Sequence, residues 1–410
     1  MEHALRVHTL EAWYPRAIDY DYGGFLTDLS YCWEPRGVQQ KMIVSQARHV
    51  WTLSKAAMLY PERTDYLAAA THGFRYLQEV FWDDAYGGFH AQVRRDGTLM
   101  TGSDDGWLLK TAYGNAFGIF GLAAYYGASK DPSALQLAQD AFHYLERGSH
   151  DAVQGGYFQY LERSGKPMRE GFGSVPPKDQ NSSIHLLEAL AELYAVWPDA
   201  LVRTRLSELM LLIRDIMVTP AGYLKLFFEA DWTPVSLKGV PEEADYLLDH
   251  VSFGHDVETA FLLLDAARLV HPGGDPDTTR IAQRMVDHGL AFGWDRKEGG
   301  FFDRGFYFPG SDAPRIITDT KVWWAQAEGL NTLLIMADRF SPRYASYFEA
   351  LWQYAKTYLI DEEHGGWYWG GLDKEPEQRT RPKGNLWKSS YHTARSLMRC
   401  IRRLRWQDDQ

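Results

Sequence analysis

The chain has 410 residues, 45% apolar and 14% aromatic, enough for a large buried core. Its formal net charge of −11 disfavours a nucleic-acid or anionic-membrane partner, which would want a basic stripe. Two cysteines, Cys32 and Cys400, make neither a disulfide framework nor a zinc cluster, and no apolar run reaches the 18 residues of a transmembrane helix.

In chain order, Met1-Glu2-His3 leads directly into a polar amphipathic segment, 2–15, which is expected to be a helix. No signal-peptide pattern precedes it, so a soluble cytoplasmic protein is expected. The next feature is Asp19…Gly23-Gly24-Phe25, which recurs as Asp83…Gly87-Gly88-Phe89, Asp151…Gly155-Gly156-Tyr157, Asp295…Gly299-Gly300-Phe301 and Asp361…Gly365-Gly366-Trp367. A degraded copy, Ala221-Gly222-Tyr223, fills the gap, and the second glycines are spaced by 64, 68, 66, 78 and 66 residues. Two helices are predicted between consecutive motifs. The first of each pair falls near 41–60, 106–127, 178–196, 252–270, 318–339 and 385–404, with apolar residues at helical spacing such as Ile43, Ala47, Val50 and Trp51. The second falls near 63–82, 131–148, 199–218, 276–292 and 342–360. Several of these open with a cap followed by proline (Asp131-Pro132, Asp275-Pro276, Ser341-Pro342), where the missing N–H costs no helical bond.

The first helices are apolar nearly all round, as in Ala260-Phe261-Leu262-Leu263-Leu264, and are expected inside; the second carry charge on one face and are expected outside. Six units at one period predict an all-α (α/α)6 barrel, a toroid of six inner and six outer helices in a single catalytic domain spanning 1–410. Segment 2–15 supplies the twelfth helix and closes the ring. The Gly-Gly motifs recur too evenly to be one active site and read as structural.

Such a toroid has an axial funnel, so polar residues near the starts of the inner helices are the candidates for chemistry. They are Arg48; Tyr113 and Asn115; Asn181 and His185; His255, Asp256 and Glu258; Trp323, Trp324 and Glu328; and Trp387, Tyr391 and His392. A lone core histidine is usually structural, but three from different helices converging on one funnel suit proton transfer near neutral pH. A metal site is disfavoured: His255 and Asp256 do not share a helical face, and no HExxH or paired-cysteine motif exists. A two-carboxylate glycosidase using Glu258 and Glu328 stays open on spacing alone.

The blocks Ser252-Phe253-Gly254-His255-Asp256-Val257-Glu258, Trp323-Trp324-Ala325-Gln326-Ala327-Glu328 and Trp387-Lys388-Ser389-Ser390-Tyr391-His392 make the chain resemble the N-acylglucosamine 2-epimerase superfamily, within it the cellobiose and mannose 2-epimerase branch. Asn181-Ser182-Ser183-Ile184-His185 and Gln46-Ala47-Arg48 fit as well. The resemblance implies the (α/α)6 barrel and cofactor-independent inversion of C2 of a reducing aldose. It implies His255 and His392 as the two acid/base groups, and His185 as an aid to ring opening or a holder of O1. Arg48, Asn181 and Glu258 would bind hydroxyls and orient the histidines, and Tyr113 and Glu328, by their place at the inner-helix starts, are further substrate-binding candidates. Trp323 or Trp324, with Trp387, would stack on the sugar. Ser183 stands where cellobiose epimerases often carry a further histidine, and a long segment, 232–251, precedes His255. That segment is expected to cap the funnel and favour a monosaccharide. The competing expectations are a mannose–fructose isomerase sharing the enediolate, an (α/α)6 glycosidase, and a sugar-binding protein with a dead funnel. A small-molecule sugar is the expected partner, and either a monomer or a homodimer is compatible with the chain.

Overall fold

The computed structural model describes residues 1–100, 109–239 and 246–408, with side chains through residue 405. Among the described residues the chain forms twelve helices. Helix α1 runs from Glu2–Leu5 through a π-helical stretch, Arg6–Leu10, to Glu11–Trp13. The others are α2 (Ile43–Leu59), α3 (Thr64–Tyr76), α4 (Ala112–Ser129), α5 (Pro132–Gly148), α6 (Gln180–Val196), α7 (Ala200–Leu212), α8 (Phe253–Val270), α9 (Pro276–His288), α10 (Trp323–Arg339), α11 (Arg343–Tyr354) and α12 (Tyr391–Asp408). Helices α2, α4, α6, α8, α10 and α12 each pack on the next, and α12 packs back on α2, closing an inner ring. Each odd-numbered helix from α3 to α11 packs against the inner helix before it, and α1 lies on α12, so the two chain ends complete the outer ring. The (α/α)6 barrel expected from the repeat is the observed fold.

The Gly-Gly motifs are hairpins that link an outer helix to the next inner one. In the second copy Asp83 N–H donates to the Gly88 carbonyl at 3.0 Å, Gly87 N–H returns to Asp83 at 2.7 Å, and Trp82 pairs antiparallel with Phe89. Gly88 has φ +73, and a Cβ there would stand 2.4 Å from the Tyr144 ring, so conformation and space both require glycine. The N–H of the residue at the strand position after each turn, the motif aromatic in three copies and Leu224 in the degraded one, is then read by the next inner helix. Phe25 donates to Gln46 Oε1 at 2.8 Å, Phe89 to Asn115 Oδ1 at 2.9 Å, Leu224 to Asp256 Oδ1 at 2.9 Å and Phe301 to Gln326 Oε1 at 2.8 Å. Asn115 and Asp256, expected in the funnel, are therefore spent on the scaffold.

A second tie was not expected from the sequence. Lys41, Lys110, Lys178, Lys321 and Lys383 precede five of the six inner helices, all but α8, are at most 1% exposed, and each pairs with the aspartate of a hairpin. Lys178 Nζ, for example, lies 2.8 Å from Asp151 Oδ2 and also donates to the Gly155 carbonyl at 3.3 Å.

The inner helices α4, α10 and α12 begin later than expected, at 112, 323 and 391. Their approach residues are extended: Lys110–Thr111 pairs with Tyr160–Leu161, and Arg315–Thr318 joins the ladder of Val251–Ser252 and Arg304–Phe306. Residues 106–108 of the expected fourth helix lie outside the described residues. So does the middle of segment 232–251, and with it the expected capping of the funnel. The described flanks of that segment are pinned, with Leu237 N–H donating to Asp249 Oδ2 at 2.8 Å and Tyr246 stacked on Phe306 at 4.1 Å.

Candidate active site

Two residues after each scaffold reader on α2, α4, α8 and α10, a side chain turns the other way, toward the barrel axis. These are Arg48, Phe117, Glu258 and Glu328; successive helical positions two apart do not share a face. His185 holds the corresponding place on α6, and His392 comes from the start of α12. All lie in the first two turns of their helices, so six helix N-termini surround one end of the axis. The partial positive charge of those termini favours negative charge developing there.

The site is organised by two ionic groups. His392 Nδ1 lies 2.6 Å from Glu328 Oε1 and 4.0 Å from Glu258 Oε1. Arg395, 1% exposed, donates through Nη2 to Glu328 at 2.6 Å and to Glu258, and through Nη1 to Glu188. Glu188 also accepts from the Tyr391 hydroxyl at 2.7 Å and from His185 Nδ1 at 3.1 Å. One buried guanidinium thus bridges three carboxylates, two of which carry a histidine. Burial pushes the Glu188 carboxyl up, but Arg395, His185 and Tyr391 outweigh it and hold it at about 2. Burial dominates at Glu328 and raises it. Ligand atoms of Glu258, Glu328 and His392 lie within 4.8 Å of one another, and the Arg395 guanidinium already contributes positive charge to both carboxylates.

The histidines are tuned toward the neutral form. Burial lowers His392 well below its ordinary value, with Arg48 acting in the same direction and Glu258 against it. Burial, with help from His185, lowers His255 to about 3. Neutral His392 therefore donates Nδ1–H to Glu328 and keeps a bare Nε2. His255 Nδ1 meets Ser252 Oγ at 2.8 Å, a partner able to accept from or donate to it. The indole of Trp324 packs against both of these histidines, 4.7 Å from His255 and 5.7 Å from His392, ring centre to ring centre.

Arg48 is buried. Its Nη2 donates to the Tyr113 hydroxyl at 3.1 Å, its Nη1 to the Trp387 carbonyl at 3.3 Å, and its guanidinium lies over Phe117 at 4.3 Å. Asn181 hydrogen-bonds Tyr113, whose ring packs on His185 at 5.3 Å. Trp387 is 54% exposed beside a cleft of about 350 Å³ lined by Asp28, Gln40 and Asn385. Trp323 departs from expectation. It is 3% exposed, packed on Trp369 at 4.3 Å and under the Lys388 ammonium, so it is a core plug and Trp324 alone of the pair borders the histidines. Arg395 and Ser252 were missed from sequence. Both were findable by register: Arg395 stands three positions beyond His392 on the same helix face, and Ser252 three before His255.

The inner ring of six helices thus carries three histidines and an arginine–carboxylate cluster at its N-terminal mouth. Residues 24–396 match the family model described as N-acylglucosamine 2-epimerase (GlcNAc 2-epimerase). The chain is 28% identical to the cellobiose 2-epimerase of Bacteroides fragilis, over 98% of this chain and 97% of that one. It is 23% identical to the D-mannose isomerase of Thermobifida fusca, over 73% and 70% of the two chains. The solved structure of cellobiose 2-epimerase from Spirochaeta thermophila superposes with a TM-score of 0.83 at 30% identity, covering 99% of this chain and 96% of that one. The chain belongs to the N-acylglucosamine 2-epimerase family, and its activity is that of a carbohydrate 2-epimerase, in the isomerase class. Among the described residues no helix is long and apolar enough to cross a membrane.

Proposed function

We propose that the protein interconverts the glucose and mannose configurations at C2 of a reducing aldose, by histidine-mediated proton transfer through an enediolate. The observation that carries this is the 2.6 Å contact between His392 Nδ1 and Glu328, which leaves a neutral imidazole with Nε2 free to act as base. In the opened sugar, His392 Nε2 takes the C2 proton, and the C2–H electron pair forms the C1–C2 double bond while negative charge moves to O1. Arg48 and the surrounding helix N-termini stabilise that charge. His255 returns a proton from Nε2 to the other face of C2 as its Nδ1 takes the Ser252 hydroxyl proton, which solvent replaces, so the ring stays neutral. Exchange with solvent then resets both rings. His185, held by Glu188, assists ring opening or holds O1. Arg48, Tyr113, Asn181, Glu258 and Glu328 hold hydroxyls or orient these groups, and Trp324 stacks on the sugar.

The cleft beside Trp387 supports room for a second ring, so the substrate set comprises free D-mannose and D-glucose and the reducing end of cellobiose-type disaccharides. The D-mannose isomerase relative keeps one alternative in view, return of the proton to C1 to give fructose. A glycosidase role is disfavoured, because Glu258 and Glu328 share one guanidinium and are at most 1% exposed, with no space between them for a glycosidic bond.

The test is incubation with D-mannose in D₂O containing EDTA, followed by NMR. Glucose carrying deuterium at C2 is expected. Dominant fructose would transfer the reading to the isomerase, and absence of exchange on mannose, glucose and cellobiose would remove it.

A further inference from the structure

The barrel has a second opening. At the C-terminal ends of the inner helices, opposite the histidines, lies a cavity of about 540 Å³. Its charge is unlike that of the rest of the molecule. Six basic side chains and three acidic ones line it, in a chain of net charge −11. Some of the basic groups are committed: Lys55 pairs with Glu192, Arg399 with Asp265 at 2.6 Å and Arg403 with Asp338 at 2.6 Å. Arg268 and Arg402 face the same space and pair with no carboxylate among the described residues.

The floor of this cavity is also the floor of the candidate active site. Glu188 and Arg395 line it, and they are the pair that holds His185 from one side and, through Glu328, His392 from the other. Arg395 Nε is buried there without a hydrogen-bond partner, so the guanidinium has an unused donor. Above it, Trp51 stacks on Phe120 at 5.1 Å and meets Tyr391 edge-on at 5.3 Å, so a single layer of side chains separates the two openings. Paired guanidinium groups on a rim, with low-dielectric walls, recognise multivalent oxyanions by charge-assisted hydrogen bonds.

We propose that this opposite mouth is a binding site for a small multivalent anion of the phosphate class, and that its occupancy is sensed at His185 through Glu188. Arg268 and Arg402 supply the primary charge. Arg399 and Arg403, already at the rim, add to it.

The test compares wild-type protein with R268E/R402E, titrated calorimetrically at constant ionic strength with inorganic pyrophosphate and, separately, with glycerol 3-phosphate. Both substituted residues are exposed and remote from the histidines, and matching circular dichroism melts establish that the variant folds; R402A serves if it does not. Saturable one-to-one binding to wild type, weakened at least about tenfold in the variant, supports the site. Binding of pyrophosphate alone assigns it to free phosphates, and binding of both assigns it to phosphate esters. No binding of either probe, or equal binding by the variant, overturns the proposal. The coupling is read from ¹⁵N-histidine spectra. The His185 resonances move on addition of pyrophosphate to wild type and not to the variant; unmoved wild-type resonances overturn the coupling.

Discussion

Glu328 and His392 are 64 positions apart in the chain and meet at 2.6 Å, the carboxylate fixing which imidazole nitrogen carries the proton. That carboxylate is itself held by Arg395 at 2.6 Å, so ring orientation, tautomer and charge balance at His392 are set together. Glu328→Gln keeps an oxygen to accept from Nδ1 but removes the charge that stabilises the imidazolium formed during turnover. The expected result is a drop in kcat of about 10–100-fold with KM for mannose within about threefold, given that general-base assistance is typically worth about 10²–10⁴-fold. His392→Ala should abolish measurable C2 deuterium exchange. A Glu328→Gln variant whose loss falls wholly on KM would show that the carboxylate binds sugar rather than positions the ring.

The pH dependence of the reaction follows from burial. The base form of each histidine is the one that can remove a proton. Because burial holds His255 at about 3 and His392 well below its ordinary value, that form persists as pH falls. An ordinary histidine would give an acid limb in kcat/KM near 6.5. Here kcat/KM at pH 5.5 is expected to stay within about twofold of its value at pH 7.5. An apparent pKa close to 6.5 would show that the rings are solvated or charge-stabilised in the free enzyme.

Much of this fold is legible from the chain because it is a repeat. The hairpin Asp-x-x-x-Gly-Gly-aromatic needs two successive left-handed residues, only glycine supplies them without strain, and the count of hairpins sets the count of units. The axis-facing positions were legible for a related reason: they follow the scaffold-reading Gln46, Asn115, Asp256 and Gln326 by two. The misreadings arise where that register was not applied. Asn115 and Asp256 are polar and near helix starts, yet they answer a backbone N–H; Trp323 neighbours Trp324 but faces the core. Arg395 was passed over because an arginine on the last helix reads as surface charge until three carboxylates from α6, α8 and α10 are seen around it. Those contacts join segments 137 or more residues from it in two of the three cases, and no local pattern reports them.

The buried lysines of the scaffold make a stability prediction. Lys178 and Asp151 are 0% and 4% exposed, and Lys178→Met leaves the aspartate with two backbone N–H donors and no cation. Removing one partner of a buried pair costs about 3–5 kcal/mol, whereas removing both often costs less. Urea unfolding should therefore show a large loss in Lys178→Met and a partial recovery in Lys178→Met with Asp151→Asn. Equal losses in the two would mean that the lysine acts by packing on Trp232, 4.5 Å away, rather than by charge.

Acid lability has a nameable contributor in His49, which is 2% exposed, bonded through Nδ1 to the Tyr14 hydroxyl at 2.8 Å, and held by burial at about 3. The unfolded chain takes up a proton near 6.5 that the native state refuses until about 3, so stability falls as pH drops through that window and is unaffected above it. In His49→Phe, Tyr14 keeps its contact with Ser390 at 2.9 Å. The slope of unfolding free energy against pH between 5 and 6 should shrink by roughly one proton. An unchanged slope would assign the lability to other buried histidines.

Trp387 and Trp324 separate outer binding from chemistry. Trp387 is 54% exposed, follows the Asn385 turn, and is fixed to the site only through its carbonyl, which accepts from Arg48. Removing its indole leaves that carbonyl in place, so the inner sugar loses nothing that positions C2. A second ring would lose an aromatic face, a contact worth on the order of 0.5–1.5 kcal/mol beyond its buried area. Trp387→Ala should therefore raise KM for cellobiose by about 3–10-fold while changing kcat on mannose by less than about twofold. Trp324 packs against both histidine rings, and Trp324→Ala should do the reverse, lowering kcat on both sugars because His255 and His392 lose the surface that orients them. Equal effects of Trp387→Ala on the two sugars would place the outer ring elsewhere and return segment 232–251 as the element that decides substrate length.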